Sequence, residues 1–215
     1  MRNDGGQMMD KNRTRKIVNI CIIIMVAGSW ITMTLFGKGT LSQNGFGNMK
    51  YFTVLSNLLE AIASAVWLSE IRRNGKASEY AETLKYIAAA SVGLTLTTVM
   101  VFLGPLYGYI AMLKGANLFF HLITPVVSIA EIIFLSDRTY TKWENNLTVI
   151  PPLVYGAAYL GNILINGIGE WPDRNDWYSF LIWGYSAGIM IFAVICLVTW
   201  LIGLLMRKLT MVRNR

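Results

Sequence analysis

Six apolar runs, each about 18 to 25 residues long, organise the chain and are separated by short polar stretches. They lie near residues 17–36, 51–71, 84–104, 117–136, 148–166 and 178–206. A helix rising 1.5 Å per residue needs about 20 apolar residues to cross a hydrocarbon layer of roughly 30 Å, and each run meets that length. The apolar residues run on without the every-second-residue alternation of a closed barrel, so the pattern predicts helices. The expected fold is all-α: a polytopic membrane protein with one six-transmembrane-helix bundle at 17–206, flanked by basic tails at 1–16 and 207–215.

Local signals refine this plan. Gly104 and Pro105 are expected to stop the third helix, and GPLYGYIAMLKGAN (104–117) is too short and too punctuated to cross again, which predicts an interfacial or partly re-entrant connection. Pro151 and Pro152 fall in the first turn of the fifth helix, where a missing amide costs little. The polar, basic start followed at once by an apolar run resembles a signal sequence. Its 20-residue length and the lack of a convincing cleavage site instead predict an uncleaved first helix.

Composition agrees: 54% of residues are hydrophobic and 14% charged, leaving no room for a separate soluble domain. All but four of the 19 lysines and arginines fall in the two tails and the second and fourth connections, the exceptions being Lys38, Lys50, Lys114 and Arg174. This bias predicts that both termini are cytoplasmic. It also accounts for the net charge of +7, because basic segments lie against anionic headgroups; no nucleic-acid partner is expected. The sequons at Asn12 and Asn146 then fall on the cytoplasmic side and should carry no glycan.

Polar residues inside the runs form stripes. Thr53, Ser56, Asn57 and Glu60 recur at three-and-four spacing on the second helix, and Asn117, His121, Thr124, Ser128 and Glu131 do so on the fourth. Small polar groups of this kind serve as interhelical glue. A histidine and two carboxylates are costlier to bury and point to function. His121 is the only histidine, and with the first and last residues of each helix placed by topology, it and Thr53 both sit roughly 3 to 6 Å beneath the outer interface.

Cofactor chemistry lacks ligands. Cys21 and Cys196 form no metal-binding spacing, a single histidine cannot hold a haem between two imidazoles, and every lysine maps to a tail, connection or helix end, which excludes a retinal Schiff base. No metal site and no cofactor are expected. GYSAG at 184–188 spells a nucleophile elbow around Ser186, but it lies in an apolar run without a strand before it and reads instead as a G-x-x-x-G packing face.

The segments YFTVLSNLLE (51–60), NLFFHLITPVVSIAE (117–131) and GEWPDRNDWYSF (169–180) resemble the androgen-induced-protein family, which includes the androgen-dependent regulator of tissue factor pathway inhibitor. The likeness is closest to bacterial six-helix members and implies a bacterial cytoplasmic membrane. Members studied as enzymes are integral-membrane threonine hydrolases of fatty acid esters of hydroxy fatty acids. The resemblance therefore implies a lipid ester substrate, Thr53 as nucleophile and His121 as its partner.

The chemistry is coherent on its own terms. A threonine hydroxyl needs a base of near-neutral pKa within hydrogen-bond reach, and His121 is the sole imidazole. Glu60 and Glu131 are too far along their helices, about 10 and 15 Å, to serve as a triad acid on spacing alone. A dyad ordered by Asn117 or a backbone carbonyl is the economical form, with Asn57 as an oxyanion donor and the loop of Trp171, Pro172 and Trp177 covering the site or anchoring it at headgroup level. A competing expectation is a proton- or cation-coupled transporter, or a non-catalytic lipid-binding protein, that uses Glu60 and Glu131 near the midplane.

Overall fold

The computed structural model describes residues 4–37, 45–170 and 174–214, with side chains from Lys11 onward. Six helices long and apolar enough to span a membrane make up the bundle: α1 (Asp4–Phe36), α2 (Phe52–Asn74), α3 (Glu79–Tyr107), α4 (Ala116–Leu135), α5 (Lys142–Asn166) and α6 (Tyr185–Arg213). No strand forms among the described residues. Lys11 pairs with Asp137, and Arg213 donates to Ile133 O at 2.6 Å, so the start of α1 and the end of α6 meet the α4–α5 connection on one terminal face.

Capping explains where hydropathy misplaced the helix starts. Ser78 Oγ accepts the Ala81 amide and opens α3 at Glu79, five residues before the apolar run. Thr141 and Glu144 form a reciprocal capping box that opens α5 at Lys142 rather than at 148. The Thr141-x-x-Glu144 pattern, like a serine directly before a helix, is readable in sequence but invisible to hydropathy. In contrast, α6 begins late. Asp176 accepts the Phe180 and Leu181 amides at 2.9 and 3.1 Å, holding this stretch in turns until Gly184, at φ 91°, redirects the chain. Gly184 thus lies outside the helix, and Gly188 faces Leu181 of that same loop, so GYSAG is a loop-to-helix junction and not the expected helix-packing face.

The α3 helix is central, packing against α2, α4 and α6. Its run Ala88, Ala89, Ala90 and Gly93 lets neighbours approach closely; a Cβ on Gly93 would sit 2.9 Å from Ile202. Tyr86 reinforces the packing on α6 by donating to Asn145 Oδ1 or Gly203 O, at 2.8 and 2.7 Å.

Two π-helical turns, Val99–Leu103 and Phe119–Ile123, immediately precede Gly104-Pro105 and Thr124-Pro125. Proline removes the donor to the carbonyl four residues back and crowds it, and a wider turn just before the ring absorbs that clash. Gly104 and Pro105 accordingly do not end the third helix as expected. It continues to Tyr107 and ends at Gly108, after which a single turn at Tyr109–Met112 leads into α4.

The largest departure from the sequence reading concerns charge. Lys85, assigned to a connection, lies in the second turn of α3 with no exposed surface. It is paired with Glu60 of α2 and with Glu131 of α4 at 2.8 Å, while donating to Ser64 Oγ at 2.9 Å. Arg15, assigned to the basic tail, is also buried, gripping Glu82 with both terminal nitrogens and Glu131 through Nε at 2.8 Å. These two cations neutralise buried carboxylates instead of facing lipid headgroups.

Replacing Lys85 by Met leaves Glu60 with no opposing cation, and breaking one side of a buried pair costs about 3 to 5 kcal/mol. We expect the Lys85→Met protein to show a loss of that size in denaturant unfolding from micelles; a change within error would mean that the pair contributes nothing.

Candidate active site

A cavity of about 720 Å³ opens at the end of the bundle where α2 and α4 begin. Phe52 and Thr53 of α2, Thr95 and Thr98 of α3, Asn117 and His121 of α4, Met112 and the aromatic side chains of Tyr155, Trp177 and Tyr178 contribute to its wall. No carboxylate, lysine or arginine is part of that lining among the described residues. Burial raises the Tyr178 hydroxyl well above its ordinary pKa, so this wall stays uncharged.

Thr53 is the second residue of α2. Tyr51 is extended, and the Val54 and Leu55 amides turn back to its carbonyl at 3.0 and 3.2 Å. The Phe52 amide donates to Tyr178 Oη at 3.0 Å. Among the first-turn donors, the Thr53 amide is left with no protein acceptor among the described residues, as the free N-terminus of a helix allows. The Thr53 side chain is half-buried on the cavity wall.

His121 sits in the middle of the π turn that Pro125 imposes, fully buried. Its Nδ1 lies 2.6 Å from the Met112 carbonyl, an acceptor only, so Nδ1 carries the proton and donates. The other nitrogen, Nε2, is buried with no protein partner and is the accepting atom of the ring. The orienting group is thus a main-chain carbonyl of the connection between α3 and α4. Asn117, one turn earlier, also lines the cavity, and its Oδ1 is unpaired. No hydrogen bond joins Thr53 to His121; they share one cavity.

The other expected site residues are placed elsewhere. Asn57 does not line the cavity, and its Nδ2 is committed to Thr53 O at 2.8 Å and Phe120 O at 3.1 Å, so it is not free to donate to an oxyanion. It instead ties the first turn of α2 to the π turn of α4. Glu60 and Glu131 also lie off the cavity, in the ion cluster with Lys85. Trp171 and Pro172 fall outside the described residues. Trp177 donates to Tyr155 Oη at 3.0 Å, and Tyr155 donates to Lys50 O at 2.6 Å, so this part of the expected covering loop forms one wall.

The sequence reading missed Met112, Tyr155 and Tyr178. Met112 contributes a main-chain atom, for which side-chain type gives no signal. Tyr178 could have been found as an aromatic at the head of the sixth run; Tyr155, in the middle of the fifth, gave no such signal. The chain matches no family model, no curated protein and no solved structure, so the reading of this site rests on its geometry.

With one imidazole in the chain, the tautomer is directly measurable. Nitrogen NMR of the ¹⁵N-histidine protein should show a protonated Nδ1 and an unprotonated Nε2 at neutral pH. The reverse assignment would remove the Met112 interaction.

Proposed function

We propose that this protein is an integral-membrane hydrolase of lipid esters, with Thr53 as nucleophile and His121 as general base. The observation that carries this reading is the unpartnered Nε2 of the only histidine on the wall of the cavity that also holds the Thr53 hydroxyl. A carbonyl-oriented imidazole on a cavity that a threonine also lines would supply the base and orienter roles of triad logic without a carboxylate. The resemblance of the three short segments to membrane threonine hydrolases points to the same pair.

In this mechanism Thr53 Oγ1 attacks the ester carbonyl carbon while its proton passes to Nε2. The tetrahedral intermediate collapses, the alcohol leaves with that proton, and the acyl group stays on Thr53. Water then attacks the acyl carbon, gives a proton to Nε2, and the fatty acid departs as Thr53 Oγ1 regains the proton. The free Thr53 amide at the head of α2 is placed to donate to the developing oxyanion in the role expected of Asn57, with the helix dipole adding to it.

The wall supports the proposed substrate class. A neutral cavity lined by aromatic and aliphatic groups suits acyl chains, and its volume is in the usual range for a small-molecule site. Fatty acid esters of hydroxy fatty acids fit that description. The site belongs on the outer side of a bacterial cytoplasmic membrane, with both termini inside. Glu60 and Glu131, which the competing transporter reading would use to bind substrate, pair with Lys85 and do not line the cavity.

Thr53→Ala and His121→Ala should each lower ester turnover in detergent or vesicles by at least about 100-fold, the usual loss with a nucleophile or general base. A fluorophosphonate probe should label the wild-type protein at Thr53 and fail to label Thr53→Ala. Turnover by either variant at the wild-type rate would end this assignment.

A further inference from the structure

Below the cavity, the seam between α2 and α4 carries buried polar atoms with no protein partner: Asn57 Oδ1, His121 Nε2, Thr124 Oγ1, Ser128 Oγ and Glu60 Oε2. Other helical hydroxyls of the bundle show how such groups are satisfied within the protein. Ser91, Thr97 and Thr199 each donate to the carbonyl four residues back, at 2.9 Å, and Ser56 pairs with Thr95 across helices at 3.2 Å. Thr124 and Ser128 are fully buried at helical positions and make neither kind of bond. Interhelical glue does not describe them. An unmet buried polar group costs about 1 to 3 kcal/mol, so a row of them needs an occupant.

Both ends of the row open onto space. Its upper end is His121 on the cavity wall. Its lower end is the ion cluster, where Lys85 links Glu60 to Glu131. Arg15 connects Glu131 to Glu82, and Arg15 and Glu82 form part of the wall of a second pocket, about 420 Å³, on the terminal face. Successive groups on α4, from His121 to Thr124, Ser128 and Glu131, are roughly 4 to 6 Å apart by helical rise, the span of one bridging water.

We propose that this seam is a hydrated proton path from the outer cavity to the terminal-face pocket. Chains of ionisable and hydroxyl groups inside a membrane bundle mark such relays. The charged or titratable groups that face the path are Arg15 from α1, Glu60 from α2, Glu82 and Lys85 from α3, and His121 and Glu131 from α4. Each hop transfers one proton through a water that bridges neighbouring groups, Arg15 acting as a fixed charge and not as a carrier, and the transmembrane proton gradient or potential alone drives it. The inference is independent of ester chemistry, although a path of this kind also drains the proton released when an ester yields a carboxylate.

The test is proton flux into proteoliposomes of the full chain, read with a trapped pH dye under a valinomycin-set potassium potential and with no ester present. The wild-type protein should exceed protein-free vesicles. Glu60→Gln is nearly isosteric and leaves Glu82 and Glu131 opposite Arg15 and Lys85, so it should fold, checked by monodispersity in detergent, while its flux falls to the protein-free level. Ser128→Ala should fall likewise, and Ser91→Ala, whose hydroxyl is already paired, should not. Wild-type flux no greater than that of empty vesicles, or flux unchanged in both Glu60→Gln and Ser128→Ala, overturns the path. Because no ester is present, that result leaves the hydrolase reading to be decided by turnover alone.

Discussion

The ion pairs of Lys85 with Glu60 and Glu131 fix the relation of α2, α3 and α4, and everything above them depends on that register. Arg15 extends the cluster to α1 through the same Glu131. In an apolar bundle, small residues allow helices to approach but specify rotation weakly, whereas a buried charge with one cation between two carboxylates tolerates little sliding. Below the Phe120–Asn57 contact the two helices are therefore clamped. Above it, Thr53 and His121 line the same cavity near the starts of α2 and α4.

Proline supplies the second constraint. Pro125 lies four residues after His121 and so deprives the His121 carbonyl of its helical donor; the π turn at Phe119–Ile123 is the response. A side chain in such a widened turn is displaced from the regular helical stripe, which helps the imidazole reach the Met112 carbonyl. The same device at Pro105 keeps α3 helical as far as Tyr107, and the short turn that carries Met112 starts only two residues later. Two prolines thus contribute to one hydrogen bond, although neither takes part in it.

The helix count was legible in sequence because apolar length is a one-dimensional property, and Thr53 and His121, expected near one end of the bundle, line one cavity. The capping signals at Ser78 and Thr141 were legible as well, but only against a hydropathy profile that pulls the boundary inward. Lys85 was not. Its burial depends on Glu60 and Glu131 arriving from other helices, and a positive residue beside a connection looks the same whether it faces headgroups or carboxylates. Asn57 shows the converse: its spacing from Thr53 was right for an oxyanion donor, yet spacing does not reveal that both amide hydrogens are already given to backbone carbonyls.

Charge is thus segregated within the bundle, and the segregation has a physical reason. Carboxylates are paired with cations where α1 to α4 converge toward the terminal face, whereas the buried Asp176 near the other end is held by the Tyr159 hydroxyl and the Phe180 and Leu181 amides. At the opposite end the helices part around the cavity, no such pairing is available, and the wall is built from neutral aromatics, hydroxyls and one imidazole. A neutral imidazole is the one titratable side chain that can serve as a base there without a counter-ion. Its orientation by a carbonyl instead of a carboxylate adds no charge to that wall.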